Sequence, residues 1–110
     1  MTPKQFRRIV LGLDGVVEGA HMGHADFRAA NNRIFASLHH DDQFGMVNLT
    51  PDQQASFIAD DPEAFTPEAG AWGRQGCTRV ILKAATEDTV GEALTLAWRN
   101  TKEKQRKKRR

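Results

Sequence analysis

The chain has 110 residues, enough for one domain, and its 16 basic and 14 acidic side chains leave a net charge of +2. The charge is uneven: residues 102–110 hold seven Lys/Arg against one acid, Glu103, so residues 1–100 carry 9 basic and 13 acidic side chains, a net −4. The isoelectric point near 9.0 therefore belongs to the tail, which excludes a uniformly basic nucleic-acid clamp, and the absence of an apolar run of ~20 residues or a signal-peptide core excludes a membrane span and predicts a cytoplasmic protein.

Thr2-Pro3-Lys4-Gln5 predicts a helix start: Thr accepts from an orphan N–H, Pro suits the first helical position and Gln completes a capping box. Phe6, Ile9, Val10 and Leu13 then recur at helical spacing, and Gly12 with Asp14-Gly15 ends the helix. Residues 16–22 and 26–30 read as strands separated by Gly23. Asn31-Asn32 suits a two-residue turn, so residues 26–30 and 33–39 are expected to form a hairpin. Pairing Ala30 with Arg33 places Arg28 opposite Phe35. Phe27, Ala29, Ile34, Ala36 and Leu38 then face the core, and Asp26, Arg28, Arg33, Phe35, Ser37 and His39 face away.

Residues 45–49 predict a further strand, with Val47 and Leu49 inward and Met46 and Asn48 outward. Thr50-Pro51-Asp52 caps a short helix anchored by Phe57 and Ile58. Residues 60–76, rich in Pro, Gly and acids, read as a loop, with a helical turn near Pro62–Phe65 as an option. Residues 77–82 predict the last strand. Thr86 begins a final helix whose Val90, Ala93, Leu94, Ala97 and Trp98 keep one apolar stripe. The next positions on that stripe, Thr101, Lys104 and Gln105, are polar, so residues 101–110 are expected to be a solvated basic tail beyond a domain of residues 1–100. The element order predicts an α+β fold: a two-layer α/β sandwich with an antiparallel sheet of about five strands and the N- and C-terminal helices on one face.

Several segments carry a resemblance. His21-Met22-Gly23-His24-Ala25-Asp26-Phe27-Arg28, then Ile34-Phe35-Ala36-Ser37-Leu38-His39, Leu49-Thr50-Pro51, Gly70-Ala71-Trp72-Gly73-Arg74 and Thr78-Arg79-Val80 occur in the order and spacing of the MmcQ/YjbR family. The chain resembles that family over residues 2–99. It departs from the pattern at Ala25, where proline is common, at Met22, where an aromatic is common, and at Cys77, where tryptophan is common. The resemblance implies a CyaY-like sandwich and a DNA-binding role.

The polar sheet face is one candidate site. Arg28, Arg33 and Arg79 would neutralise phosphates and Phe35 would stack on a base, with His39 and Asn48 beside them. An antiparallel sheet also keeps one wet face as a matter of course, on which Arg side chains cover a partly exposed Phe, and Asp26 sits among these arginines. The segment Ala71–Gly76 is a second candidate. Trp72 there either plugs the edge of the sandwich or faces a ligand, and Arg74 is the better anion contact.

His21 with His24 and His39 with His40 lack a known ligand spacing, so no metal site is expected. Lys4, Arg7 and Arg8 give the first helix the wrong charge for a cation. The single cysteine, Cys77, has no basic or histidine neighbour in sequence and cannot form an intrachain disulfide. With no Ser/His/Asp order, phosphate loop or dinucleotide fingerprint, no catalytic residue or cofactor is expected and the chain is not read as an enzyme. Asp60, Asp61, Glu63 and Glu68 read as a solvated loop.

Lys102, Lys104, Arg106, Lys107, Lys108, Arg109 and Arg110 attract any polyanion, with steep salt dependence and no reading of sequence. The expected function is nonspecific, non-enzymatic DNA binding, with the tail supplying attraction and the sheet face and Arg74 orienting the nucleic acid. The alternative is a protein-interaction module that docks a partner on Phe35 and Trp72, with the tail as a solubilising extension.

Overall fold

The structure, a computed structural model, describes residues 1–108 except 22, 40 and 42; of residue 21 and residues 103–108 it describes the backbone alone. Met22 at the end of the first expected strand, His40 of the second histidine pair, and Arg109 and Arg110 of the tail lie outside the described residues. The elements in chain order are α1 (Pro3–Leu11), β1 (Val17–His21), β2 (His24–Arg28), β3 (Ile34–Leu38), β4 (Phe44–Asn48), α2 (Pro51–Asp60), β5 (Phe65–Pro67), α3 (Gly70–Arg74), β6 (Cys77–Ile81) and α4 (Glu87–Lys108), with a single 3-10 turn at Leu82–Ala84. The architecture is the expected α+β sandwich. Its six strands form one antiparallel sheet in the order β1-β2-β3-β4-β6-β5.

The capping box predicted at Thr2 forms, and the cap predicted at Thr50 proves to be a second one. Thr2 Oγ1 accepts from Gln5 N at 3.1 Å while Gln5 Oε1 accepts from Thr2 N, and Thr50 with Gln53 repeats the arrangement at α2. The α1 stripe buries Phe6 and Val10, and α4 buries Val90, Ala93, Leu94 and Ala97. Their partners are the inward residues of the sheet, among them Phe27, Ala36, Leu38, Val47 and Val80. Gly45 on β4 permits this closeness, because a Cβ there would meet Phe6 Cε2 at 2.7 Å.

The hairpin departs from the expected register. Asn32 N donates to Ala29 O and Ala29 N donates to Arg33 O, so the loop comprises residues 30–32 and closes on Ala29–Arg33 instead of Ala30–Arg33. Asn32 alone takes a positive φ, 69°, and Asn31 Oδ1 accepts from Arg33 N. One strand further in, Phe27 pairs with Ala36 while Arg28 pairs with Ile34, which leaves Phe35 as an extra residue on β3. A bulge of this kind re-aims side chains. Phe35 is 0% exposed and joins the core with Ala36, while Ile34 turns outward and is 37% exposed. The expectation that Phe35 lies on the open face, opposite Arg28, is therefore corrected: burying the larger aromatic outweighs strict alternation.

Two further segments differ. Residues 60–76 hold an edge strand, β5, and the short α3 instead of a loop. Thr101 is buried on the α4 stripe, and its carbonyl accepts from Asn31 Nδ2 at 3.2 Å. Its hydroxyl donates to Trp98 O, which satisfies the one polar group that the stripe would otherwise bury alone. The helix continues without a break to Lys108.

The register makes a direct prediction. Phe35→Ala should lower the unfolding free energy by about 3–5 kcal/mol in a urea titration, as expected for a fully buried Phe. Ile34→Ala should cost about 1 kcal/mol or less, since its site is already partly wet; the reverse order would restore the unbulged pairing.

Candidate functional site

The sheet face away from α1 and α4 is open, and its centre is a row that crosses all six strands. Gly19, Asp26, Ser37, Met46, Arg79 and Thr66 are successive register partners. Arg28 Nε donates to Asp26 Oδ1 at 3.0 Å and its Nη2 reaches Oδ2 at 3.3 Å, a two-point pair in which Asp26 is almost wholly buried. The bond and the nearby negative charge raise the Arg28 pKa above its ordinary value. Arg79 Nη2 donates to Glu68 Oε1 at 2.8 Å, and its guanidinium lies 4.9 Å from the centre of the Phe44 ring. Glu68 is thus a partner on the sheet and not a solvated loop acid. Both central arginines are neutralised, so the face is no cationic platform.

The predicted site residues scatter in consequence. Phe35 is in the core. Arg28 and Arg79 are paired. Arg33 and Arg74 make no ion pair among the described residues. Lys102 Nζ sits 3.8 Å from the centre of the Trp98 ring, which lays the first tail cation against the body. The backbone carries Lys104, Arg106, Lys107 and Lys108 onward in helix; their side chains and both terminal arginines lie outside the described residues.

Trp72 is 69% exposed, so it does not plug the sandwich. Its backbone is nonetheless held firmly. Gln54, buried on α2, places Nε2 within 3.0–3.1 Å of Gly73 O, Cys77 O and Thr78 Oγ1, and Thr78 Oγ1 donates to Gly76 O at 2.8 Å. Gly73 and Gly76 complete the fit: a Cβ on Gly73 would strike the Glu68 backbone, and one on Gly76, at φ 110°, would strike the Leu49 backbone. Short helix α3 is thereby clamped between α2 and β6 with its indole outside.

Two grooves flank the indole, and both are lined by Trp72 and Cys77. One, of about 450 Å³, holds Met46, Phe44, Arg79 with Glu68, and two histidines. His24 and His39 come from different sequence pairs, yet the β2–β3 register stacks their rings at 6.2 Å, and His39 Nδ1 lies 3.0 Å from Asp41 Oδ1. Sequence reasoning missed this association because it arises only from pairing across strands. Among the described residues no group of three His, Cys, Asp or Glu is arranged to hold a metal ion. The other groove, of about 270 Å³, runs from Ile34, Asn48 and Cys77 to Asn100 and Thr101 at the root of the tail.

Cys77 lies under both grooves, and burial, reinforced by the negative charge of Glu68, pushes its thiol up to about 11. It is a protonated floor and not an activated nucleophile.

An α+β sandwich with an open sheet face and a clamped, exposed tryptophan defines the class of protein. Neither a protein-family model nor a curated protein matches the chain. Among solved structures, the chain is similar to the Deinococcus radiodurans protein DR2400, described as carrying a DUF419 domain, with a TM-score of 0.73 and 15% identity over 88% of this chain and 75% of that one. The similarity establishes the fold. Among the described residues no helix is long and apolar enough to cross a membrane.

Two outcomes test the site. Gln54→Leu should cost about 1–2 kcal/mol of stability in chemical denaturation, because it removes the buried amide that ties α2 to Gly73 O, Cys77 O and Thr78 Oγ1, while the two carbonyls keep Gly76 N and Glu68 N as donors. Alkylation of Cys77 by iodoacetamide should stay slow at pH 8 and accelerate as pH rises toward 11, since the thiolate fraction at pH 8 is roughly 100-fold below that of an ordinary protein-free thiol near 9.0. A fast reaction at neutral pH would contradict a buried, protonated Cys77.

Proposed function

We propose that this chain is a small non-enzymatic DNA-binding protein of the MmcQ/YjbR kind that holds the phosphate backbone through the basic end of α4. The supporting observation is the separation of charge along that helix: Thr101 is its last buried residue among those described, and seven Lys/Arg follow it. The two central arginines of the open face, by contrast, are engaged with carboxylates. Cations on an extension neutralise phosphates and release counterions without reading sequence. Cys77, which lines both grooves, is held as the thiol by its burial, which favours binding over thiolate chemistry there. A protein-interaction module is the second reading. It is favoured by the exposure of Trp72 on a clamped backbone, and buried Phe35 has no share in it.

Gel retardation and anisotropy at low salt provide the test. The full chain should retard duplex DNA, and its affinity should fall roughly 10³-fold or more between 50 and 200 mM salt, as about seven phosphate contacts require. Deleting residues 102–110 should remove most of that binding. Arg28→Ala with Arg79→Ala should change it little. A full chain that leaves DNA unretarded at low salt would sink the proposal.

A further inference from the structure

The groove at the tail root has a composition unlike the rest of the body. Residues 1–100 carry a net −4, yet no Asp or Glu lines this groove. It contains Arg33, which makes no ion pair among the described residues, and the amides of Asn48, Gln75 and Asn100. One wall is Trp72, the most exposed large apolar side chain of the described residues, and the floor includes half-exposed Ile34. The opposite end is Thr101, one residue before the first cation of the tail. Asn31 ties the Arg33 loop to that same point through Thr101 O.

A ligand suited to this lining carries negative charge and a flat apolar surface within one short repeat. Duplex DNA offers the charge but hides its base faces in the stack. A single strand offers both: bases free to stack and a phosphate for each. An apolar protein segment would use Trp72 and Ile34 but leave Arg33 and the acid-free lining without a counterpart. We propose that the groove between Trp72 and the root of α4 binds single-stranded nucleic acid, with an unstacked base on the Trp72 indole and a flanking phosphate at Arg33, in line with the basic tail.

This inference rests on the nucleic-acid reading above and adds a preference that the tail alone cannot supply. Phosphate contacts by Lys and Arg hold either form, whereas stacking on an exposed indole requires an unpaired base. The clamp on α3 matters here. With the α3 backbone already held, a base landing on the indole orders one side chain and no loop.

The test is fluorescence anisotropy of a labelled oligothymidylate of about 12 nucleotides and of a duplex of equal length, titrated with the full chain and with Trp72→Ala, Trp72→Phe and Arg33→Ala. The single strand should bind more tightly than the duplex. Trp72→Ala should weaken the single strand about tenfold while leaving the duplex unchanged, and Trp72→Phe should recover much of the loss. Arg33→Ala should weaken the single strand in the same selective way. Thermal unfolding of each variant controls for folding, and Trp72, being exposed, should leave it unmoved. If Trp72→Ala does not alter single-strand binding, or weakens both forms alike, the groove is not the site and the inference falls while tail-mediated DNA binding stands. If neither nucleic acid binds the full chain, both fall.

Discussion

The amide of Gln54 governs the arrangement around the candidate site. It sits on α2, among helix residues, and reaches the backbones of α3 and β6 together with the hydroxyl of Thr78. Its two protons serve three acceptors, a shared geometry that works because all three lie within 3.1 Å. Gly73 O and Cys77 O also accept from Gly76 N and Glu68 N, so the amide gives each a second bond and ties α2 to both, a net gain of about 0.5–1.5 kcal/mol per bond. The glycines at 73 and 76 allow the backbones to approach closely enough for one side chain to bridge them. With the α3 backbone clamped in this way, Trp72 keeps its indole largely exposed between the two grooves.

The parts of the fold that sequence alone disclosed are those set by local chemistry. The Thr2/Gln5 capping box, the Thr50 cap and the helical stripes of α1 and α4 depend on residues within a turn or two of one another, and all form as expected. What was not legible depends on partners far along the chain. Edge strand β5 has three residues and ends in Pro67, too short for alternation to register, and exists because Phe65 and Thr66 find β6. The bulge at Phe35 answers to the volume of the core above it, which no local pattern encodes. The pairing of Arg79 with Glu68 and the stacking of His24 on His39 follow from strand order. Even with Phe35 and Ile34 exchanged, the list of outward residues is therefore insufficient to give the charge of the open face.

That charge changes what the fold offers a polyanion. The centre of the sheet is a row of satisfied pairs in which Asp26 and Glu68 have already taken the arginines. Cations without an ion pair among the described residues occur instead at the margins, Arg33 on the hairpin and Arg74 on α3, and the backbone of α4 carries the basic tail onward from a third margin. The acid-free groove lies between these margins, at the end of the sandwich and away from its middle.

Burial of Thr101 and its bond to Asn31 also decide how the basic extension moves. A flexible nine-residue tether would sweep its charges through a wide volume, diluting them at any one place. A helix rooted on the hairpin acts as a lever: seven residues beyond the root span roughly 10 Å along one axis. The backbone through Lys108 therefore holds one bearing relative to the sheet, and a polyanion bound along it would meet the rest of the molecule at a fixed angle. Effective concentration at the neighbouring groove is then a matter of geometry more than of chain statistics.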